Sequence, residues 1–146
     1  MIIDQLTKIY LKKETWHKNK LTEEQSNEYH EKLMINGNIL TYIKSGELIG
    51  YLEFWRINYE QLGRLICGQP ILTDVEDLLS GNIAYINNMF IDSNHRNGDA
   101  FEFLASMFLS RNKDAELFVT FRPLKHNKPI QVYRREELIK LYTKGI

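Results

Sequence analysis

The stretch Ile83-Ala84-Tyr85-Ile86-Asn87-Asn88-Met89-Phe90-Ile91 decides how the chain is read, together with the polar break Asp92-Ser93-Asn94-His95-Arg96-Asn97-Gly98-Asp99 behind it. Its apolar residues occupy both sides of a period-two ladder, which marks a strand covered on both faces and central in its sheet. Beyond the break, Phe101, Leu104, Ala105, Phe108 and Leu109 recur at helical spacing, with Phe103 and Met107 widening the stripe, and predict a well-buried helix. A glycine-containing loop that feeds a helix leaves several backbone N–H groups without an internal partner, which makes it a natural anion site.

Upstream, Leu21-Thr22-Glu23-Glu24-Gln25 has the pattern of a capping box, and Asn36-Gly37 supplies a stop. A helix over 22–35 follows, burying Tyr29, Leu33 and Met34. Ile39–Lys44, the turn Ser45-Gly46 and Leu48–Ile57 read as a β-hairpin. Residues 58–82 are less regular, with one short helix opened by Thr73-Asp74-Val75-Glu76 and stopped by Gly81. Downstream come a strand over Leu117–Arg122, a polar loop from Pro123 to Pro129, a strand at Ile130–Tyr133 and an amphipathic helix from Arg134 to Tyr142. This order predicts an α/β protein, one mixed sheet sandwiched by helices, and a chain of 146 residues fits a single domain over 1–146.

Nineteen Lys and Arg against nineteen Asp and Glu leave no net charge, so there is no global basic field to draw the chain to nucleic acid or anionic lipid. An apolar fraction of 43% excludes a disordered chain. The single Cys67 makes no internal disulfide, and the four histidines form no cluster with it at metal-ligand spacing. No segment approaches the roughly 20 apolar residues of a membrane span. With Asp4 where a signal peptide has basic residues, a reducing, cytoplasmic location is expected.

His95-Arg96-Asn97-Gly98-Asp99-Ala100 resembles the pyrophosphate loop of the GCN5-related N-acetyltransferase (GNAT) superfamily, written Gln/Arg-x-x-Gly-x-Gly/Ala. The apolar pair around Phe90 in Met89-Phe90-Ile91, about four residues earlier, and the order of elements over roughly 21–122 agree with it. The resemblance implies a GNAT-like mixed sheet flanked by helices. It also implies acetyl-CoA as co-substrate, with backbone groups of Met89, Phe90 and Ile91 pairing with the pantetheine arm and amides from Arg96 to Ala100 holding the pyrophosphate. In that family an amine attacks the thioester directly, a base takes its proton, and preorganised donors stabilise the oxyanion. Two departures stand out: His95 occupies the Gln/Arg position, and Asp99 places a carboxylate where the family has an apolar residue. A plain polar turn, with Asp99 capping the helix and Gly98 making the bend, is the other reading of the same residues.

For the base, Glu53 is the candidate because it interrupts the apolar run Tyr51-Leu52-Glu53-Phe54-Trp55, where partial burial raises a carboxyl pKa. The alternatives are a solvated face or a pair with Arg56. Tyr133 stands near the family's general-acid position, six residues after Asn127 instead of about seven, although Pro129-Ile130-Gln131-Val132-Tyr133 reads as a strand. Tyr85, Asn87 and Asn88 either line an acceptor cleft or are satisfied by neighbours. Cys67 reads as a structural or surface thiol, and His17, His30 and His126 as surface or hydrogen-bonded residues. The lysine-rich run Lys8–Lys20, with Tyr10, Trp16 and His17, reads as a solvated helix or arm face, the alternative being contact with nucleic acid or an acidic protein.

Two functions follow as expectations. The first is acetyl-CoA-dependent N-acetyl transfer to an amine on a small molecule or a protein. The second is a non-catalytic GNAT-like domain of phage or mobile-element origin, binding a protein partner through aromatics near Trp55, Tyr59 or the 58–82 segment.

Overall fold

The structure, a computed structural model, describes residues 22–69, 75–95, 98–121 and 130–144. The lysine-rich run, Arg96, Asn97 and the loop before Pro129 lie outside the described residues. In chain order the elements are α1 (Glu23–Asn36), β1 (Ile39–Lys44), β2 (Glu47–Ile57), α2 (Tyr59–Ile66), a 3-10 turn at Val75–Leu78, β3 (Ile83–Ile91), a second such turn at Ser93–His95, α3 (Ala100–Arg111), β4 (Leu117–Phe121), β5 (Ile130–Tyr133) and α4 (Arg135–Lys144). The five strands form one sheet in sequential order, β1-β2-β3-β4-β5. All neighbours are antiparallel except β3 and β4, which run parallel and are joined through α3.

Local chemistry sets the ends of these elements. Thr22 and Gln25 exchange side-chain-to-backbone hydrogen bonds of 3.0 and 3.2 Å at the start of α1. The helix stops where Gly37 turns left-handed at φ 79° and the amides of Gly37 and Asn38 close back on Met34 and Leu33. Helix α2 was not anticipated, yet it rests on the same device: Asn58 and Gln61 form a second capping box. By contrast, Thr73 and Asp74 lie outside the described residues, and the described part of the segment before Gly81 makes the 3-10 turn Val75–Leu78, after which Leu79 bridges to Arg56. Gly81 is therefore no helix stop. Its amide donates to the Arg56 carbonyl, and a β-carbon here would strike the Ile57 backbone.

The sheet separates two cores. On one face, Leu104 and Phe108 of α3 and Leu138 of α4 pack with Leu40, Leu52, Phe54, Ala84 and Phe118. On the other, Leu62 of α2 packs with Ile57, Ile83, Tyr85 and Val119, and Leu33 of α1 packs with Ile39, Leu48 and Tyr51. β3 is indeed covered on both faces, Ile83 and Tyr85 turning one way and Ala84 the other. The α3 stripe is narrower than its sequence suggests: Phe103 remains exposed and meets only the edge of this core, against the Tyr42 ring.

Two irregularities of β3 position the site. β2 and β3 pair Phe54 with Ile86 but Glu53 with Asn88, so Asn87 is an extra residue, a β-bulge. β3 and β4 pair only as far as Ile86 with Thr120, while β3 continues to Ile91. The sheet thus opens one residue before the bulge.

Gly81→Ala should destabilise the protein by about 1–3 kcal/mol through backbone overlap. Gly63→Ala, on α2 with nothing near the added methyl, should stabilise it by up to about 1 kcal/mol. Denaturant midpoints of the two variants check both signs, and equal midpoints would refute this account of Gly81.

Candidate active site

An extra residue in a strand reverses the alternation of every side chain beyond it. Without the bulge Asn87 and Asn88 would point to opposite faces; with it, both reach the face of α1. Asn88 Nδ2 donates to the Tyr51 hydroxyl at 2.7 Å, and Asn87 Nδ2 donates to Glu53 Oε2. Helix α1 lays Tyr29 and His30 over the same spot. Tyr29 donates to Glu53 Oε2 at 2.7 Å, and its oxygen accepts from Trp55 Nε1 at 3.0 Å and from Asn87 Nδ2 at 3.4 Å. His30 Nε2 stands 3.7 Å from Glu53 Oε1, and its Nδ1 lies 3.2 Å from Ser26 Oγ. Hydrogen bonds thus join Asn87, Glu53, Tyr29 and Trp55, and the Ser26–His30 pair abuts them across the 3.7 Å contact.

The cluster is almost sealed from solvent. Ser26 and His30 are fully buried, Glu53 is 2% exposed and Asn87 3%. Burial pushes the His30 imidazole down to about 4, with a hydrogen bond to Ser26 working weakly against it. His30 is thus neutral at physiological pH, and 3.7 Å exceeds hydrogen-bond length, so its contact with Glu53 is dipolar rather than an ion pair. Burial, aided by the Glu53 charge, pushes the Tyr85 phenol far up, so that it stays protonated. Among the described residues, Asn87 Oδ1 is buried with no hydrogen-bond partner.

Glu53 accordingly lies on no solvated face. Nor does it pair with Arg56, whose guanidinium binds the Gly81 carbonyl, Asn112 and Asp114 instead. Tyr85, Asn87 and Asn88 gather beside Glu53. Tyr133 does not: it lies on β5, paired with Phe118, and packs on the α3–α4 core. Met89, Phe90 and Ile91 form the end of β3, His95 ends the turn behind it, and Gly98 and Asp99 are exposed immediately before α3. Asp99 occupies the N-cap position of α3 without a side-chain capping bond, while Ala100 is buried. Cys67 is exposed and unpaired in any disulfide, at the end of α2.

The residues that sequence reasoning missed are Ser26, Tyr29 in its polar role, and His30. Their signal was present as a Ser and a His four positions apart beside Leu33, one turn of a helix whose inner face is otherwise apolar. A polar pair on a buried face must find a partner, and the matching carboxylate interrupts an apolar strand 23 residues on, at Glu53. Only the tertiary structure joins them.

The unfolded chain takes up a proton on His30 near pH 6.5, the folded one only near 4. Between these values the unfolded state binds more protons, so His30 should cost the wild type up to about 3 kcal/mol of stability as the pH falls through that window. His30→Gln should remove this part of the pH dependence. Denaturant titrations of both proteins at neutral and acidic pH measure it, and parallel losses would refute it.

No protein-family model and no curated protein matches the sequence. Solved structures do resemble the fold. An N-acetyltransferase from Staphylococcus aureus Mu50 aligns with TM-score 0.57 at 12% identity, over 98% of this chain and 73% of the other. The putative acetyltransferase yncA from Salmonella typhimurium, solved with acetyl-CoA, gives 0.56 at 11% identity, over 98% and 72%. The GNAT-like decarboxylase GphF, in complex with isobutyryl-CoA, gives 0.55 at 13% identity, over 99% and 67%. With its five-stranded mixed sheet, its parallel β3–β4 opening and its flanking helices, the chain has the GNAT fold.

Proposed function

We propose that the protein transfers an acetyl group from acetyl-CoA to an amine. The observation that carries this reading is the coincidence of three features at one place. β3 parts from β4 after Ile86, the bulged Asn87 holds the buried carboxylate of Glu53 there, and the far end of β3 leads through Asp92–Asp99 to the N-terminus of α3. The named neighbours yncA and GphF were solved with CoA thioesters, which supports the same ligand class here.

A helix N-terminus and its orphan amides suit the anionic pyrophosphate, so Gly98, Asp99 and Ala100, with Arg96 and Asn97 before them, hold that group, and His95 flanks it. The backbone of Met89, Phe90 and Ile91 lies along the pantetheine arm. Acetyl-CoA supplies an activated acyl group; the protein's residues supply position and proton acceptance. Glu53 is the group that receives the amine's proton. Tyr133, on the opposite face, is assigned to the sheet rather than to acid catalysis. Sealed at 2% exposure, Glu53 does not meet bulk water, which keeps a proton acceptor in a low-dielectric setting near the opening.

A non-catalytic, partner-binding domain is the second reading. It is favoured by the exposed Asp99 carboxylate at the place of the pyrophosphate, and by Tyr59 and Ile66, 57% and 59% exposed on α2. The phage or mobile-element origin belongs to this reading. Calorimetry with acetyl-CoA separates the two, since the second needs no CoA affinity.

Asp99→Ile should tighten CoA binding by an amount of order 1 kcal/mol by removing a like charge, with the gain shrinking in high salt; Gly98→Pro should abolish it without unfolding the core. Weaker binding in the first variant, or unchanged binding in the second, places the pyrophosphate elsewhere. Glu53→Gln keeps the shape but not the basicity. Its kcat toward polyamine, aminoglycoside or peptide amines should fall about 10²–10⁴-fold with CoA affinity nearly unchanged, and a wild-type rate would make Glu53 structural.

A further inference from the structure

If Glu53 takes a proton from an acceptor amine, it does so from behind other side chains, because it is 2% exposed. Tyr29 is the half-buried residue of the cluster whose hydroxyl touches Oε2, at 2.7 Å. Its oxygen already receives two N–H groups, Trp55 Nε1 at 3.0 Å and Asn87 Nδ2 at 3.4 Å. A phenol oxygen has two acceptor positions and one proton to give, so all three are committed, and the direction of the proton is set toward the carboxylate. The longer Asn87 bond is the one that yields. Asn87 Nδ2 retains Glu53 when it does, and Asn87 Oδ1, buried without a hydrogen-bond partner among the described residues, is an acceptor for a second N–H.

Resting on the acetyl-transfer reading above, the geometry points to Tyr29 as the residue that meets a protonated primary amine and relays its proton to Glu53. One ammonium N–H bond breaks as a new O–H bond forms on Tyr29. The Tyr29 O–H bond breaks in the same movement, and an Oε2–H bond forms on Glu53. The ammonium becomes a neutral amine with a free electron pair, Glu53 becomes a neutral acid, and Tyr29 is unchanged. Trp55 Nε1, which keeps its bond to the phenol oxygen, stabilises negative charge that gathers there during the exchange. A second N–H of the primary amine goes to Asn87 Oδ1, which discriminates against tertiary amines. Glu53 is faced from α1 by Tyr29 and His30 and from β3 by Tyr85 and Asn87, with Tyr51 and Trp55 flanking it on β2. His30, pushed down to about 4, stays neutral through this step.

The test uses two independent readouts. In the protein alone, labelled at the tyrosine ring carbon bearing oxygen, the Tyr29 resonance (assigned by its loss in Tyr29→Phe) should move as Glu53 takes up a proton in acid. In Glu53→Gln it should not. In the transfer assay with spermidine and a lysine peptide, Tyr29→Phe should lose about 10²-fold in kcat while binding CoA within about twofold of wild type. Trp55→Phe, which keeps an aromatic ring against the Tyr85 edge contact and removes one donor, should move the acid limb of the pH–rate profile to higher pH. A Tyr29 resonance blind to Glu53, or a wild-type rate and profile in Tyr29→Phe, overturns the relay while leaving acetyl transfer intact. Wild-type protein with no CoA affinity overturns the transfer reading itself, and the resonance still reports whether the phenol and carboxylate are coupled.

Discussion

One extra residue in β3 organises this protein. Because side chains alternate along a strand, the bulge at Asn87 turns two successive asparagines to one face and reverses everything after them, so that Met89 and Ile91 join the α3–α4 core while Phe90 joins the α1 side. β4 stays paired as far as Ile86 and the two strands part beyond it. The polar cluster descends from this interruption of the ladder, and the sheet opens beside it. A regular β3 would leave Asn87 opposite Glu53 but would put Asn88 into an apolar core.

Burying Glu53 is costly unless its oxygens are occupied, because a carboxylate taken out of water loses several kcal/mol of hydration. The cluster offsets part of that cost through Tyr29 and Asn87 on Oε2, with the His30 imidazole 3.7 Å from Oε1. The same low dielectric that makes the arrangement expensive makes it responsive, since a proton arriving there changes interactions that water would otherwise screen. Elsewhere the polar contacts are structural. Arg56 ties the turn at Gly81 to the end of α3, and Arg135 caps the carbonyls of Leu109 and Asn112 while lying over the Phe118 ring.

The GNAT fold and its chemistry are separate matters. The structural neighbours include acetyltransferases and a decarboxylase at 11–13% identity, so the architecture is shared across different reactions. What argues for proton transfer in this chain is particular to it: a carboxylate, a phenol and an indole N–H connected at hydrogen-bond distance beside the sheet opening. Among the described residues no helix is long and apolar enough to cross a membrane, and no group of His, Cys, Asp and Glu has the arrangement of a metal site.

The sequence by itself determined the elements and their order. Capping at Thr22–Gln25, the Ser45-Gly46 turn, the doubly apolar strand 83–91 and the periodic run 100–111 are each specified within a dozen residues, so hydrogen bonding and hydrophobic periodicity along the chain suffice to read them. Helix α2 carries the same kind of signal in the capping pair Asn58 and Gln61 and in Leu62, Leu65 and Ile66, although the sequence reading leaves this segment irregular. Glu53 was legible as an anomaly, a charge within an apolar strand, but its surroundings were not. Whether that carboxylate faces water, Arg56 or His30 depends on which face of β2 meets α1 and on a one-residue bulge in β3, and neither leaves a local trace in the sequence. Pairing register and helix docking are fixed by contacts between residues far apart in the chain, which is why only the tertiary structure decided that Ser26, Tyr29, His30, Glu53 and Asn87 form one cluster and that Tyr133 stands on the other side of the sheet.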